Sequence, residues 1–532
     1  MDTTATTLHF SATGFFSKLV ADYINADEKL LPFYQHLVDL EGIKNAVRYR
    51  MQYDTDRKLL VDKFNEKYSG LQLTEKQQIN INLLLNENTF TITTAHQPNI
   101  FTGHLYFIYK ILHAVKLADY LNGQLPDTNF VPVYYMGSED ADLDELGFVV
   151  INGEQYRWAT KQTGAVGRMK VDEALVHLID LFAGQLLVEP HGAAIVDVMK
   201  KCYEVGTTIE HATFMLVNQL FAAYGLLILL PDDAAFKNAF SPIIAKELSS
   251  QFSHEAVKLT VNQFPAEYKV QTSGRDLNLF YLQNQSRERI EKVGDHFKIL
   301  NTGLQFSEQQ MAEELKNHPE KFSPNVILRP VFQEFILPNI AFIGGGGEIA
   351  YWLELKKVFA AAKVPYPMLI VRNSFLVVEQ KYQAVAYKLQ LSPGAIFNTE
   401  FNLMNEFVKS GAINQIELTN EKNQLQALYQ HISNVVGKID PSLQVHTAAL
   451  YVKTNKRILA LEKKMMRAEK KKYLVQQQQL HKIKSQLFPG NNLQERVENF
   501  MGLYARYGES FIKALYENSL TLEQQFTVLV LD

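Results

Sequence analysis

Residues 325–373 read NVILRPVFQEFILPNIAFIGGGGEIAYWLELKKVFAAAKVPYPMLIVRN. Two short apolar runs in it, Ile340–Ile343 and Met368–Val371, are separated by four glycines and a helical pattern. The glycines are Gly344, Gly345, Gly346 and Gly347; the pattern opens at Glu348 and carries Ile349, Trp352, Leu353, Leu355 and Phe359. Strand, glycine loop, helix, strand is a βαβ unit, the building block of a parallel sheet. Successive glycines let a backbone turn sharply and let another molecule approach. The N–H groups that open a helix have no internal partner and attract anions. At least one of Gly345 and Gly346 is therefore expected in a conformation that disfavours a β-carbon. A third run, Val326–Leu328, reads as a strand too, so that Arg329 and Arg372 each follow a strand and share one sheet edge. Open α/β sheets bind ligands outside the carboxyl ends of their strands. The expectation is an anionic ligand at that edge. The stretch is neither GxGxxG nor a P-loop, because no Gly-Lys-Ser/Thr follows; a purely structural glycine turn fits the same letters.

Working towards the N-terminus, the same grammar recurs. Phe90–Thr94 alternates like a strand and runs into the polar loop His96-Gln97-Pro98-Asn99. Pro98 biases Gln97 to an extended form. Thr102 reads as an N-cap, with Gly103 in the first turn and a helix from His104 to about Leu121. On that helix Tyr106, Lys110 and His113 share one stripe. A histidine-bearing loop before a helix start suits a bound phosphate or carboxylate; alternatively Gln97, Asn99 and Thr102 only satisfy the loop backbone. Phe130–Met136 is the next strand, and five carboxylates follow it within residues 139–145, among them Glu139, Asp140 and Asp142. They suit a cationic amine, a magnesium ion or acid–base work, or simply an acidic helix start. Gly147–Ile151 and Tyr156–Trp158 form a hairpin about Asn152-Gly153. Gly225–Pro231 is a fully apolar strand of the buried parallel type. The segment 235–325 is helical and mixed, with a hairpin-like piece at Leu277–Leu282 and a basic turn at Arg287-Glu288-Arg289. Strands alternating with helices define an α/β class: a parallel, Rossmann-like sheet over residues 1–375 with helical connecting-peptide insertions at about 152–224 and 233–325.

The character changes after about residue 375. Leu425, Leu428, Ile432, Val435 and Ile439 step by three and four, a heptad seam. Asp440-Pro441 breaks it, and a longer helix runs to Leu487. The reading is a C-terminal α-helical domain, 376–525, with a coiled-coil hairpin at about 420–487, and a strand at 526–532 that returns to pair with the core. The basic run around Arg467–Lys472 reads as a solvated helix face.

A chain of 532 residues exceeds one hydrophobic core. The net charge of −4 gives no bulk case for nucleic acid or membrane binding. A lone cysteine, Cys202, excludes a disulfide framework and a cysteine-rich metal site and fits a reducing compartment. The first residues carry no basic and apolar leader pattern, and no apolar run reaches membrane-spanning length. The expectation is a cytoplasmic protein with no structural metal.

Four motifs in order carry a resemblance that covers nearly the whole chain: TAHQPNIFTGHLYFIYK (94–110), VPVYYMGSEDADLDEL (131–146), LRPVFQEFILPNIAFIGGGGEIAYW (328–352) and LFPGNNLQER (487–496). They resemble the cysteine-adding enzymes of bacillithiol biosynthesis, the cysteine ligase family. Ala141 stands where many members have a histidine, and AHQPNIFTGH where many read GQQxGxFTGP. The resemblance implies amide formation between cysteine and the amine of glucosaminyl malate, on a core like that of class I aminoacyl-tRNA synthetases, with a coiled coil that makes a homodimer. A free carboxylate needs activation, so ATP, through an acyl-adenylate or acyl-phosphate, is the expected co-substrate. Joined to the residue reading, the resemblance assigns His96, Asn99, Thr102, Gly103 and His104 to the nucleotide or activated carboxylate, with Gln97, Tyr106 and Lys110 beside them. Glu139, Asp140 and Asp142 orient the amine. Arg329 and Arg372 hold malate or phosphate. Gln333, Glu348, Tyr351 and Trp352 line the pocket, with the glycine loop and Asn373. Two other classes fit the letters: a nucleotide-binding transferase of the same synthetase-like type with another substrate, and a coiled-coil interaction protein with a vestigial core.

Overall fold

The computed structural model describes residues 2–272, 274–283, 285–412 and 415–531. The chain divides into two units, residues 1–376 with 492–529, and residues 377–491 with 530–532. The first unit thus takes in 492–529, which the sequence reading grouped with the helical part.

The first unit is organised by a five-stranded parallel sheet. In chain order its strands are Thr89–His96, Asn129–Met136, Leu227–Leu229, Asn339–Gly344 and Met368–Val371. In space the fifth lies beside the fourth, then the first, the second and the third. The chain therefore builds outward from the first strand in both directions, and the switch point lies between the first and fourth strands, where open sheets take their ligands. The first strand is buried along its length. Its threonines are β-branched, which suits a strand, and their hydroxyls find partners: Thr91 donates to Asn339 Oδ1 (3.2 Å), Thr94 to the Ile343 carbonyl (2.9 Å). The helices Leu40–Arg50 and Tyr106–Gln124 place Ile43, Ala46, Ala114, Leu117 and Leu121 in one apolar cluster with Phe90, Ile92, Ile340 and Ile370.

The insertion between the third and fourth strands carries an antiparallel sheet of its own, with Leu279–Gln283 flanked by Ser286–Val293 and Phe322–Pro324. Here the structure corrects the strand expected at Val326–Leu328. The strand is Phe322–Pro324, and residues 325–328 turn into the helix Arg329–Ile336. Pro330 decides this, because its fixed φ presets a first helical turn. Arg287 to Arg289 lie within a strand and not in a turn. The hairpin Phe148–Ile151/Glu154–Arg157 forms as expected. The C-terminal strand Phe526–Leu531 does not join the parallel sheet; it lies between Thr3–Leu8 and Ser374–Glu379 in a separate three-stranded sheet.

Two local readings are overturned. The helix after the first strand starts at Tyr106, and Thr102 does not cap it. Phe101, Thr102 and Gly103 all have positive φ (52°, 70° and 65°). Asn499 holds that loop by donating its amide to the carbonyls of Phe101 (2.9 Å) and Gly103, and the Phe101 N–H donates to Tyr203 Oη at 2.8 Å. The glycine loop, in contrast, needs no positive φ: Gly345 sits at φ −70°, ψ 165°, and residues 344–347 are absent from the left-handed set. Its glycines are required for space. A β-carbon on Gly344 would stand 2.8 Å from the Phe342 ring, and one on Gly346 2.9 Å from Val20 Cγ2.

In the second unit Thr419–Gly437 packs against Ser442–Lys470 as a helical hairpin, with Lys422 paired to Glu462 at 2.9 Å. The expected single helix to Leu487 is interrupted at Lys471–Tyr473 and resumes over Leu474–Leu487. The seam residues Leu428, Val435 and Ile439 remain exposed.

Candidate functional site

The carboxyl ends of the first, second and fourth strands open into a cavity of about 640 Å³. Ala95, His96 and Gln97 come from the end of the first strand, and Tyr106 and Lys110 from the helix behind it. The second strand supplies Tyr135 and, just past its end, Ser138, Glu139 and Asp140. Gly345, Gly346, Gly347, Glu348 and Tyr351 form another wall, beside Arg329 and Arg372. The inserted antiparallel sheet closes the far side with Arg275, Phe280, Arg287 and Arg289. Seven cations (Lys110, Arg275, Arg287, Arg289, Arg329, Arg372, Arg496) face four carboxylates (Glu139, Asp140, Glu145, Glu348).

The glycine-loop wall is neutralised from within. Lys110 is buried, donates to the Ala95 carbonyl at 2.8 Å and pairs with Glu348. Burial pulls its ammonium below the ordinary lysine value, against the pull of Glu348. Glu348 in turn accepts from the Gly345 N–H at 2.8 Å. The opening of this helix is therefore occupied by the chain's own carboxylate, and the anion expected at the glycine loop has no place on those N–H groups. Arg372 is likewise held: its Nη2 meets Glu495 Oε1 at 2.8 Å, Nη1 donates to the Asn373 carbonyl (2.9 Å) and to Ser374 Oγ (3.0 Å), and its guanidinium lies over the Tyr106 ring.

At the acidic strand end the three carboxylates separate in role. Glu139 pairs through Oε1 with the fully buried Lys237 and accepts from Ser323 Oγ through Oε2 at 3.1 Å. Burial pushes its carboxyl up, Lys237 opposes, and the Asp232 charge adds to the rise. Asp232 pairs with Lys237 (2.9 Å) and receives two bonds from Arg168 (2.6 and 2.7 Å). Against burial, Arg168 and Lys237 hold it at about 2. Asp140 has no cation: its Oδ2 accepts from Gln97 Nε2 at 3.1 Å, and its Oδ1 from the Asp142 N–H at 3.2 Å. Asp142 is exposed and accepts from the Glu145 N–H at 3.1 Å as the N-cap of Leu143–Leu146. It belongs to the helix start and not to the cavity.

His96 reaches the cavity between Tyr106 and Phe107, with Nε2 unpartnered. Burial, and then the Lys110 charge, drive its pKa well below the ordinary histidine value, so the ring is neutral at neutral pH. His104 points elsewhere: Nδ1 meets the Val497 carbonyl at 3.1 Å, and the ring packs on Tyr106 and Phe148. Asn99, Thr102 and Gly103 form the buried loop tied by Asn499 and do not line the cavity. Gln333 bonds Glu334 in the core (2.8 Å). Trp352 stacks on Phe342 at 4.2 Å. Asn373 is spent on His113 and the Leu520 carbonyl. Gly344 faces Phe342 and Glu348. None of these four is a lining residue.

Sequence reasoning missed Tyr135, Ser138, Arg275, Arg287, Arg289 and Arg496. For two of them a signal existed: in a strand, residues 287 and 289 fall on one face. Among the described residues no three His, Cys, Asp or Glu side chains stand together as a metal-binding group. The arrangement can hold an ammonium group at Asp140 and anions on the neighbouring guanidiniums.

A family model described as bacillithiol biosynthesis BshC, N-terminal Rossmann-like domain, matches residues 1–373, and its C-terminal coiled-coil domain matches residues 375–531. A Flavobacterium johnsoniae protein named "Putative cysteine ligase BshC" is 38% identical over 526 residues, which cover 98% of this chain and 99% of that one. A Christiangramia forsetii protein of the same name is 36% identical over 530 residues, 98% of each chain.

Proposed function

Since the chain belongs to the bacillithiol biosynthesis BshC family, we propose that it is a cysteine ligase whose cavity joins the carboxyl group of cysteine to the amine of glucosaminyl malate. The observation that carries the reading is the pairing, in one cavity, of an uncompensated carboxylate, Asp140, with uncompensated guanidiniums on Arg329 and Arg287. The amine-bearing substrate carries one positive group and two carboxylates, and the cavity offers the complement. In the reaction the amine nitrogen attacks the cysteine carboxyl carbon. The C–N bond forms, one carboxyl oxygen leaves, and the nitrogen gives up a proton. Asp140 holds the ammonium at the first step and stands where a nitrogen-bound proton is released. His96, neutral and with Nε2 free, is the nearer uncharged acceptor on the same wall.

Loss of a carboxyl oxygen in water needs activation, and ATP is the co-substrate proposed to supply it. The excess of cations in the cavity suits a polyanion. Lys110 and Arg372, locked in their ion pairs, shape that wall.

Two further points complete the proposal. The exposed apolar residues on the second unit's hairpin, with Ile439 79% and Val445 75% exposed, are the surface of a homodimer. Light scattering should give twice the chain mass of 60.8 kDa; a monodisperse monomer at micromolar concentration would refute it. Among the described residues no helix is long and apolar enough to cross a membrane, and the proposed location is the cytoplasm, where cysteine is reduced. Thiol profiling of a deletion strain tests the function: bacillithiol should vanish and glucosaminyl malate accumulate. A normal thiol pool would reject the reading.

A further inference from the structure

The cations around the cavity fall into two classes. Lys110 has Glu348, Arg372 has Glu495, Lys237 has Glu139 and Asp232, and Arg168 has Asp232. Arg275, Arg287, Arg289 and Arg329 have no carboxylate within ion-pair distance among the described residues. All four line the same cavity, and three of them come from the inserted sheet and its approach.

Arg287 is the best fixed. Its Nε donates to Ser323 Oγ at 3.1 Å, Nη2 donates to the Pro324 carbonyl at 3.2 Å, and the guanidinium lies 3.9 Å above the Phe280 ring. Nη1 is left without a protein partner. Ser323 hands the connection on, donating to Glu139, so the sheet insertion is registered against the acidic strand end. Arg329 is held from the opposite side by Tyr351 Oη at 2.7 Å. It is close enough to Arg287 for each to feel the other's charge, and close to Asp140. Arg289 pairs across the sheet with Phe280, on the face that carries Arg287. Its guanidinium and that of Arg275 make no bond to the protein among the described residues. Like charges gathered in a half-buried wall repel, and a dianion that bridges them removes the repulsion and supplies fork-matched acceptors.

We propose that Arg287 and Arg329, with Arg275 and Arg289 at the rim, form a dicarboxylate subsite that takes the malyl end of the amine-bearing substrate while Asp140 takes its amine. The inference rests on the proposed ligase reading for the identity of that substrate. In a glucosaminyl malate the amine and the malyl group sit on neighbouring ring carbons, and the cavity sets Asp140 beside Arg287 and Arg329 in the same way. The inserted sheet is thus the specificity element, and the parallel sheet brings the reacting groups.

The test is calorimetry on the full-length protein with L-malate, L-lactate and ATP as separate probes, on the parent and on Arg289→Gln, Arg275→Gln and Arg287→Gln. L-Malate affinity should fall at least about tenfold in Arg289→Gln and Arg287→Gln. L-Lactate, with one carboxylate, should bind the parent more weakly than L-malate, and ATP affinity should change less than about twofold. Arg287→Gln removes bonds to Ser323 and Pro324 and can unsettle the sheet; Arg289 has no such bonds, so its variant remains decisive. Malate binding unchanged in Arg289→Gln and in folded Arg287→Gln would overturn the inference, and so would a loss confined to ATP, which would make this a polyphosphate subsite. Arginine-dependent malate binding in a protein that forms no amide from glucosaminyl malate would sustain the subsite and reject the ligase reading.

Discussion

Replacing Lys237 with methionine tests the electrostatic frame behind the acidic strand end. Lys237 is fully buried and serves two carboxylates and the Glu320 carbonyl. Without it Asp232 keeps both bonds from Arg168, whereas Glu139 keeps only the Ser323 hydroxyl. Glu139 is then a carboxylate without its cation, and its escape is to take up a proton. From the ordinary value of 4.5, protonation at pH 7 costs at most about 3.4 kcal/mol, at about 1.36 kcal/mol per pH unit. The rise that burial already imposes lowers that ceiling. A further loss of about 1 kcal/mol, independent of pH, follows from the missing bond to Glu320. The sign is fixed by linkage: Lys237 favours the ionised carboxylate, so its contribution is present at pH 7 and fades as pH falls towards 4.5. At pH 5 the Glu139 part should be no more than about 0.7 kcal/mol. Both tryptophans, Trp158 and Trp352, lie in the first unit, so urea unfolding followed by tryptophan fluorescence reports on that unit alone. A destabilisation as large at pH 5 as at pH 7, or none at pH 7, would refute the reasoning.

Asp140→Asn keeps the shape and the bond from Gln97 but removes the charge; kcat/KM for the amine substrate should fall at least about tenfold, and an unchanged value would return Asp140 to a structural role. His104→Ala should lower stability by about 1–3 kcal/mol through its lost packing and its bond to Val497, with kcat/KM of the folded fraction within about threefold of the parent; loss of activity in a stably folded variant would restore His104 to the site. Gly346→Val drives a side chain into Val20, so the midpoint of thermal unfolding should drop before ligand affinity does. A variant of parental stability that no longer binds ligand would contradict that order.

The parallel sheet was legible because its strands are apolar runs set between turn signals and helical periods. The site was legible in part. Asp140 and Glu348 follow strand ends, and a strand end leads into the cavity. Asp142 and His104 lie two and eight residues past such ends, and local hydrogen bonding, to a helix N-cap and to Val497, claims them instead. Nothing local distinguishes a histidine that packs from one that binds. The glycine loop was read for the right place and the wrong reason: its φ values are ordinary, and the requirement comes from Val20, far off in sequence. Arg496 and Glu495 could not be placed at all, since only the fold brings them to Arg372. Arg287 and Arg289 were visible as a basic pair, but reading them as a turn hid the fact that a strand aims both at one face.

The most direct test is the reconstituted reaction. Purified protein is given cysteine, glucosaminyl malate and ATP, and the products are followed by mass spectrometry. The account predicts a product whose mass is the sum of the two substrates less one water, formed as an amide on the glucosamine nitrogen, with ATP consumed in step and the rate cut at least about tenfold by Asp140→Asn. ATP consumption without amide formation, or an amide formed at the same rate by Asp140→Asn, would contradict it.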